Sequence, residues 1–214
     1  MELDRRGMSV EPDVINRYLM HAEAEGIVCS GVDKGKKYTY ALLDERVAPT
    51  KELSREEALV KLALNYFRSH SPASIQDFLW WSGLSVSEGR KAVGGIENEL
   101  VKEDRDLLVH ESCLTRKNDR ETLHFLPAFD EYLISYKDRT AVLEREYFSG
   151  AFNNWGIFYP VVAYNGTIIG NWTKTVKRKE FVLLPSIFEK YPNTEERLLK
   201  LAENKYRAFY TLNT

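Results

Sequence analysis

Apolar positions in this chain keep two kinds of spacing, helical through the first half and strand-like toward the end. Val14, Ile15, Tyr18, Leu19 and Ala22 recur on one helical face, which predicts a helix over residues 12 to 26. Pro12 suits its first turn, where a missing N–H costs nothing, and Gly26 suits its end. Ile27-Val28-Cys29 and Tyr38 to Leu43 then read as short strands, joined by the polar turn Asp33-Lys34-Gly35-Lys36-Lys37. Residues 44 to 53 are charged, contain a proline and read as a linker. Ser54 with Glu57 forms a capping box, and the helix it opens runs to His70 with Leu59, Leu62, Ala63, Tyr66 and Phe67 on one side. Ser71-Pro72-Ala73 breaks it. A short helix capped by Ser74 ends at Gly83, and a third, opened by Ser85, runs to about Leu100. Leu107 to Val109 is a strand.

The pattern changes after Leu123. An apolar run, Phe125 to Phe129, stops at Asp130, and residues 140 to 159 look irregular or partly helical and are rich in aromatics. Pro160 to Tyr164 and Thr167 to Thr175 read as strands across Asn165-Gly166, a strong hairpin signal. A third strand covers Lys177 to Leu184, residues 185 to 190 connect, and an amphipathic helix runs from Thr194 to about Tyr210. The expected fold is α+β, with winged-helix units followed by an antiparallel β-meander and a C-terminal helix. Residues 1–48 read as a partial winged helix, its recognition helix and wing, because the residues before Pro12 are too few for two further helices. Residues 54–115 read as a complete winged helix, with a helix-turn-helix at its centre, and 120–214 as a β-rich domain.

Bulk properties narrow the function only a little. The 214 residues are 43% hydrophobic and 29% charged, which suits a folded globular chain. The net charge is −2, so any nucleic-acid contact must come from local patches. Cys29 and Cys113 are far apart and form no metal or disulfide pattern, so neither a metal nor another cofactor is expected. The N-terminus lacks the apolar stretch of a signal peptide, and no apolar run is long enough to span a membrane. Cytoplasm is the expected location.

Three runs resemble a known family. They are HSPASIQDFLWWSGL from His70 to Leu84, LPAFDEYLISYKDR from Leu126 to Arg139, and Pro160-Val161-Val162 with Asn165-Gly166, Gly170 and Trp172. In order and approximate spacing these are similar to the bacterial winged-helix family that contains the AlkZ and YcaQ DNA glycosylases, over roughly residues 13 to 212. The resemblance implies double-stranded DNA, in damaged form, as the partner and base excision as the family activity. It also implies a catalytic Gln-x-Gln or Gln-x-Asp motif in a first winged helix. This chain has a single glutamine, Gln76, in the WWSG helix. No catalytic residue is therefore carried over, and the first winged helix is expected to lie outside the chain. The alternatives are the C-terminal part of an active alkylpurine or crosslink glycosylase, and a protein-docking module that self-associates or binds a partner through its incomplete N-terminal unit.

Candidate DNA contacts are the basic residues. Lys34, Lys36 and Lys37 occupy the wing, where phosphate contact and a merely solvated turn are both open. Arg90 and Lys91 lie on the third helix of the complete unit. Lys174, Lys177, Arg178 and Lys179 make the densest basic stretch, read either as backbone contact or as a charged edge strand. Asp130, Asp138 and Arg139 are the polar centre of the second family-like run. A capping or ion-pair network and a groove-lining role both remain open for them.

Overall fold

The computed structural model describes residues 5–8, 11–35, 37–49, 51–103, 106–114, 121–177, 180–191 and 196–212. It divides into two compact units, Met1–Leu53 and Ser54–Thr214. In the first, helix α1 (Pro12–Ala24) carries Pro12 in its first turn. Strands β1 (Val28–Ser30) and β2 (Tyr40–Leu42) pair antiparallel, with Val28 opposite Leu42. Lys34 and Lys37 bridge the intervening turn, with Gly35 at φ +65°. Leu43–Arg46 forms one helical turn, α2, where the sequence reading begins a linker. No described side chain of this unit is buried, and Ile27, Val32 and Tyr38 are exposed.

The second unit begins with three helices, α3 (Arg55–His70), α4 (Ile75–Ser82) and α5 (Val86–Gly94). Each opens with a serine whose hydroxyl accepts from the backbone N–H three residues on, while that residue's carboxylate accepts from the serine N–H. Helix α5 stops at Gly94, short of Leu100, because Gly94-Gly95 ends it. A 3₁₀ turn at Glu97–Glu99 then leads into β3 (Leu100–Lys102), which pairs antiparallel with β4 (Leu108–His110). Tyr66, Phe67, Phe78, Ala92 and Ile96 fill the core between these helices. Full burial of each such large side chain contributes about 1.5–3 kcal/mol.

The rest is built on a four-stranded antiparallel meander of β5 (Leu123–Leu126), β6 (Val161–Tyr164), β7 (Thr167–Lys177) and β8 (Glu180–Ile187). Asn165-Gly166 turns between β6 and β7, both at positive φ. Strand alternation sends Val161 and Val162, and likewise Ile168 and Ile169, into different cores, and a bulge shifts the register between Val162 and Ala163. On one side Val162, Ile169, Trp172, Phe181 and Leu183 pack against α8 (Glu196–Leu212) through Leu198 and Ala202. On the other, Val161, Ala163 and Ile168 pack against Leu133, Leu143 and Ala151. Those come from α6 (Glu131–Ile134), the loop that follows it, and α7 (Phe148–Ala151). This is the expected α+β arrangement with an antiparallel meander and closing helix. No helix among the described residues is long and apolar enough to cross a membrane.

Candidate nucleic-acid interface

The site is built where the segment after α6 docks against the start of α4. Asp77, buried in the first turn of α4, accepts from Ser74 N at 2.9 Å and Ser74 Oγ at 2.6 Å. Its other oxygen accepts from the backbone N–H of Lys137 at 2.8 Å and of Asp138 at 3.2 Å. One carboxylate thus caps a helix and fixes a turn far along the chain. Trp80 Nε1 donates to Ile134 O at 3.1 Å, and Tyr136 OH donates to His70 O at 2.9 Å. Burial, with smaller contributions from Tyr132 and Asp77, pushes the Tyr136 phenol up to about 12, so it stays a donor.

A groove of about 560 Å³ opens along this seam, lined by Ser74, Gln76 and Asp77 on one wall and by Lys137 to Thr140, Arg145 and Phe148 on the other. A second, of about 330 Å³, lies across Ser74 and Gln76 and includes Arg90, Lys102 and Asp106. The acids of the first groove are engaged. Asp77 is saturated as above, and Asp138 accepts from Thr140 N at 2.9 Å and Thr140 Oγ1 at 2.7 Å. Lys137 and Arg145 are exposed and have no carboxylate partner among the described residues. The rim therefore presents two exposed cations that form no ion pair among the described residues.

Arg139 is held differently. Its Nε donates to Leu133 O at 2.7 Å, and its guanidinium lies 5.0 Å from the Phe158 ring, 5.1 Å from Phe152 and 5.9 Å from Trp80. Burial lowers its pKa from the ordinary arginine value, against the opposing pull of Asp77 and Asp138. Asp130 caps α6 by accepting from Tyr132 N at 2.9 Å.

The other basic residues are scattered. Arg90 and Lys91 are exposed on α5, and Arg90 reaches the second groove. Lys174 lies on β7 against α8, with its Nζ 3.4 Å from Tyr206 OH and above the Phe181 and Tyr206 rings. Lys177 ends β7 opposite Glu180. Arg178, Lys179 and Lys36 lie outside the described residues, while Lys34 and Lys37 are exposed in the Met1–Leu53 unit. Sequence reasoning did not single out Lys137, Arg145 or Lys102. Lys137 sits in the family-like run beside Asp138, whereas Arg145 falls in the stretch read as irregular and carried no signal.

Comparison with known proteins adds to this geometry. A family model described as DNA glycosylase AlkZ-like matches residues 4–209. The chain belongs to the AlkZ-like DNA glycosylase family. Its family-like run from His70 supplies one wall of the first groove, and the run from Leu126 supplies Lys137, Asp138 and Arg139 of the other. Among solved structures, DNA glycosylase AlkZ of Streptomyces sahachiroi is similar, with 25% identity and a TM-score of 0.64 over 83% of this chain and 50% of that one. The chain thus spans about half the length of that relative. A comparison with curated proteins gave no match.

Proposed function

We propose that this AlkZ-like chain binds the phosphate backbone of duplex DNA along the groove between the start of α4 and the 137–145 segment. The observation that carries the reading is the charge arrangement there. The acids there accept from internal donors, while Lys137 and Arg145 stand exposed without carboxylate partners among the described residues. Backbone contacts of this kind supply affinity and register, not sequence information. On this reading residues 1–48 and 54–115 are winged-helix units preceding a C-terminal domain at 120–214. Lys34, Lys36, Lys37, Arg90, Lys91, Lys174, Lys177, Arg178 and Lys179 are further candidates for phosphate contact.

Excision is not part of the proposal for this chain alone. Removing a base needs a flipped nucleotide and a positioned water, and the single glutamine, Gln76, cannot form a Gln-x-Gln pair. A second reading, that this is the C-terminal part of a complete glycosylase, is favoured by the half-length match to AlkZ. It is tested by translating the bases upstream of Met1 and looking for that pair.

The first experiment is a fluorescence-anisotropy titration of a labelled duplex between about 50 and 200 mM salt. The wild-type chain should bind with a steep salt dependence, and K137A/R145A should lower the slope of log K against log salt by about 2 units. An unchanged slope removes the groove from the phosphate path. Absence of salt-dependent binding by the wild type removes the DNA reading. The same chain should release no base from an alkylated duplex.

A further inference from the structure

One feature beside the groove is unused by phosphate binding. Trp155 is 89% exposed, in a protein that leaves Trp172 only 5% exposed. Its loop is stiff. Phe152 and Phe158 bridge its base. Asn153 N donates to Ile157 O at 3.0 Å, and Gly156 N donates to Asn153 O at 3.1 Å, with Gly156 at φ +77°. The Asn153 side chain completes the frame. Its Oδ1 accepts from Trp155 N at 3.0 Å and Ile157 N at 3.1 Å, and its Nδ2 donates to Tyr159 OH at 3.0 Å. An indole on such a loop is presented at little further entropic cost.

The base of the loop packs against a residue that lines the groove. Phe152 and Phe158 are the rings against the Arg139 guanidinium, and Arg139 and Phe148 line the first groove. Trp155 is three residues from each end of the bridge, so its Cα lies no more than about 11 Å from those of Phe152 and Phe158. Half-exposed Phe129 packs 6.3 Å from Phe158, so the apolar surface continues along the loop base. An exposed planar side chain on a loop rooted against a groove-lining residue, together with exposed cations on that groove, offers a face for a base and charge for its phosphate.

We propose that Trp155 stacks on a nucleobase displaced from the duplex while the neighbouring phosphates lie along the Lys137–Arg145 rim. The inference rests on the DNA-binding reading above. Exposed aromatics serve this way because every base offers a π-face, and apolar side chains at a duplex step favour its unstacking.

The test compares a plain duplex with the same duplex carrying one unpaired, bulged base, against wild type, W155A and W155F. Wild type should prefer the bulged duplex. W155A should lose that preference and bind the bulged duplex about tenfold more weakly, with the salt slope unchanged. W155F should keep most of the preference. Because the indole is exposed, W155A should melt like wild type, so a loss is not one of folding. If W155A binds the bulged duplex as wild type does, or loses both duplexes equally with a changed slope, the stacking role is overturned while salt-dependent wild-type binding leaves the groove standing. If wild type binds neither duplex, both readings fall together.

Discussion

Arg139 shows how far a charged side chain can be from what its charge suggests. Its neighbours are a backbone carbonyl and the faces of Trp80, Phe152 and Phe158, a setting that uses the planarity of guanidinium as much as its charge. Replacing it by lysine keeps the charge and discards the plane. R139K should therefore lower stability by about 1–2 kcal/mol. Urea unfolding should show a lower midpoint at unchanged m, and the salt slope of DNA binding should not move. A variant as stable as wild type would show that the guanidinium plane contributes nothing there. At this scale the sequence was legible only where partners are local. The Ser54–Glu57 box could be read because its members are three residues apart. Asp77 could be suspected of capping Ser74, but its bonds to Lys137 and Asp138 join residues about sixty positions apart, and no spacing rule reaches that far.

Among the elements, the longer helices α1, α3, α4, α5 and α8 and the Asn165-Gly166 hairpin were legible, because period and turn chemistry are intrinsic to short segments, whereas the one-turn helices α2, α6 and α7 were not. Strand β8 was not. Pro185 suggested an end at Leu184, yet the strand continues to Ile187 with Pro185 opposite Trp172. A proline is tolerated there because β8 is the edge of the sheet, and sheet order does not appear in a linear pattern. The turn between β7 and β8 is likewise later than expected, with Lys177 still paired. The tightest contact in this hairpin is at Gly170. A Cβ there would stand 2.4 Å from Ser186 O and 2.9 Å from Ile187 Cα, and neither can rotate away. G170A should cost about 1–3 kcal/mol through forced separation of β7 and β8. Thermal unfolding checks it, and a variant as stable as wild type would show that the strands separate freely.

In the molecule as a whole, the division of burial is uneven. Every buried side chain among the described residues belongs to the Ser54–Thr214 unit. A chain beginning at Ser54 should therefore still unfold in one cooperative transition, close to the midpoint of the full chain. A broad, non-cooperative melt would show that the first unit supplies stability that its own packing does not reveal. Family membership was legible from three runs of sequence, whereas the groove that two of them build became visible only when the chain folded. The place of Asp77 in that groove has a consequence for ligand choice. It puts a fixed negative charge in the floor, with the free cations higher on the rim. A compact monoanion settling to the bottom would approach that carboxylate. A polyanion laid across the top would meet Lys137 and Arg145 while spanning the floor at a distance. On the DNA-binding reading the groove should therefore select by the shape of its ligand, favouring an extended strand over a small ion of the same charge per phosphate.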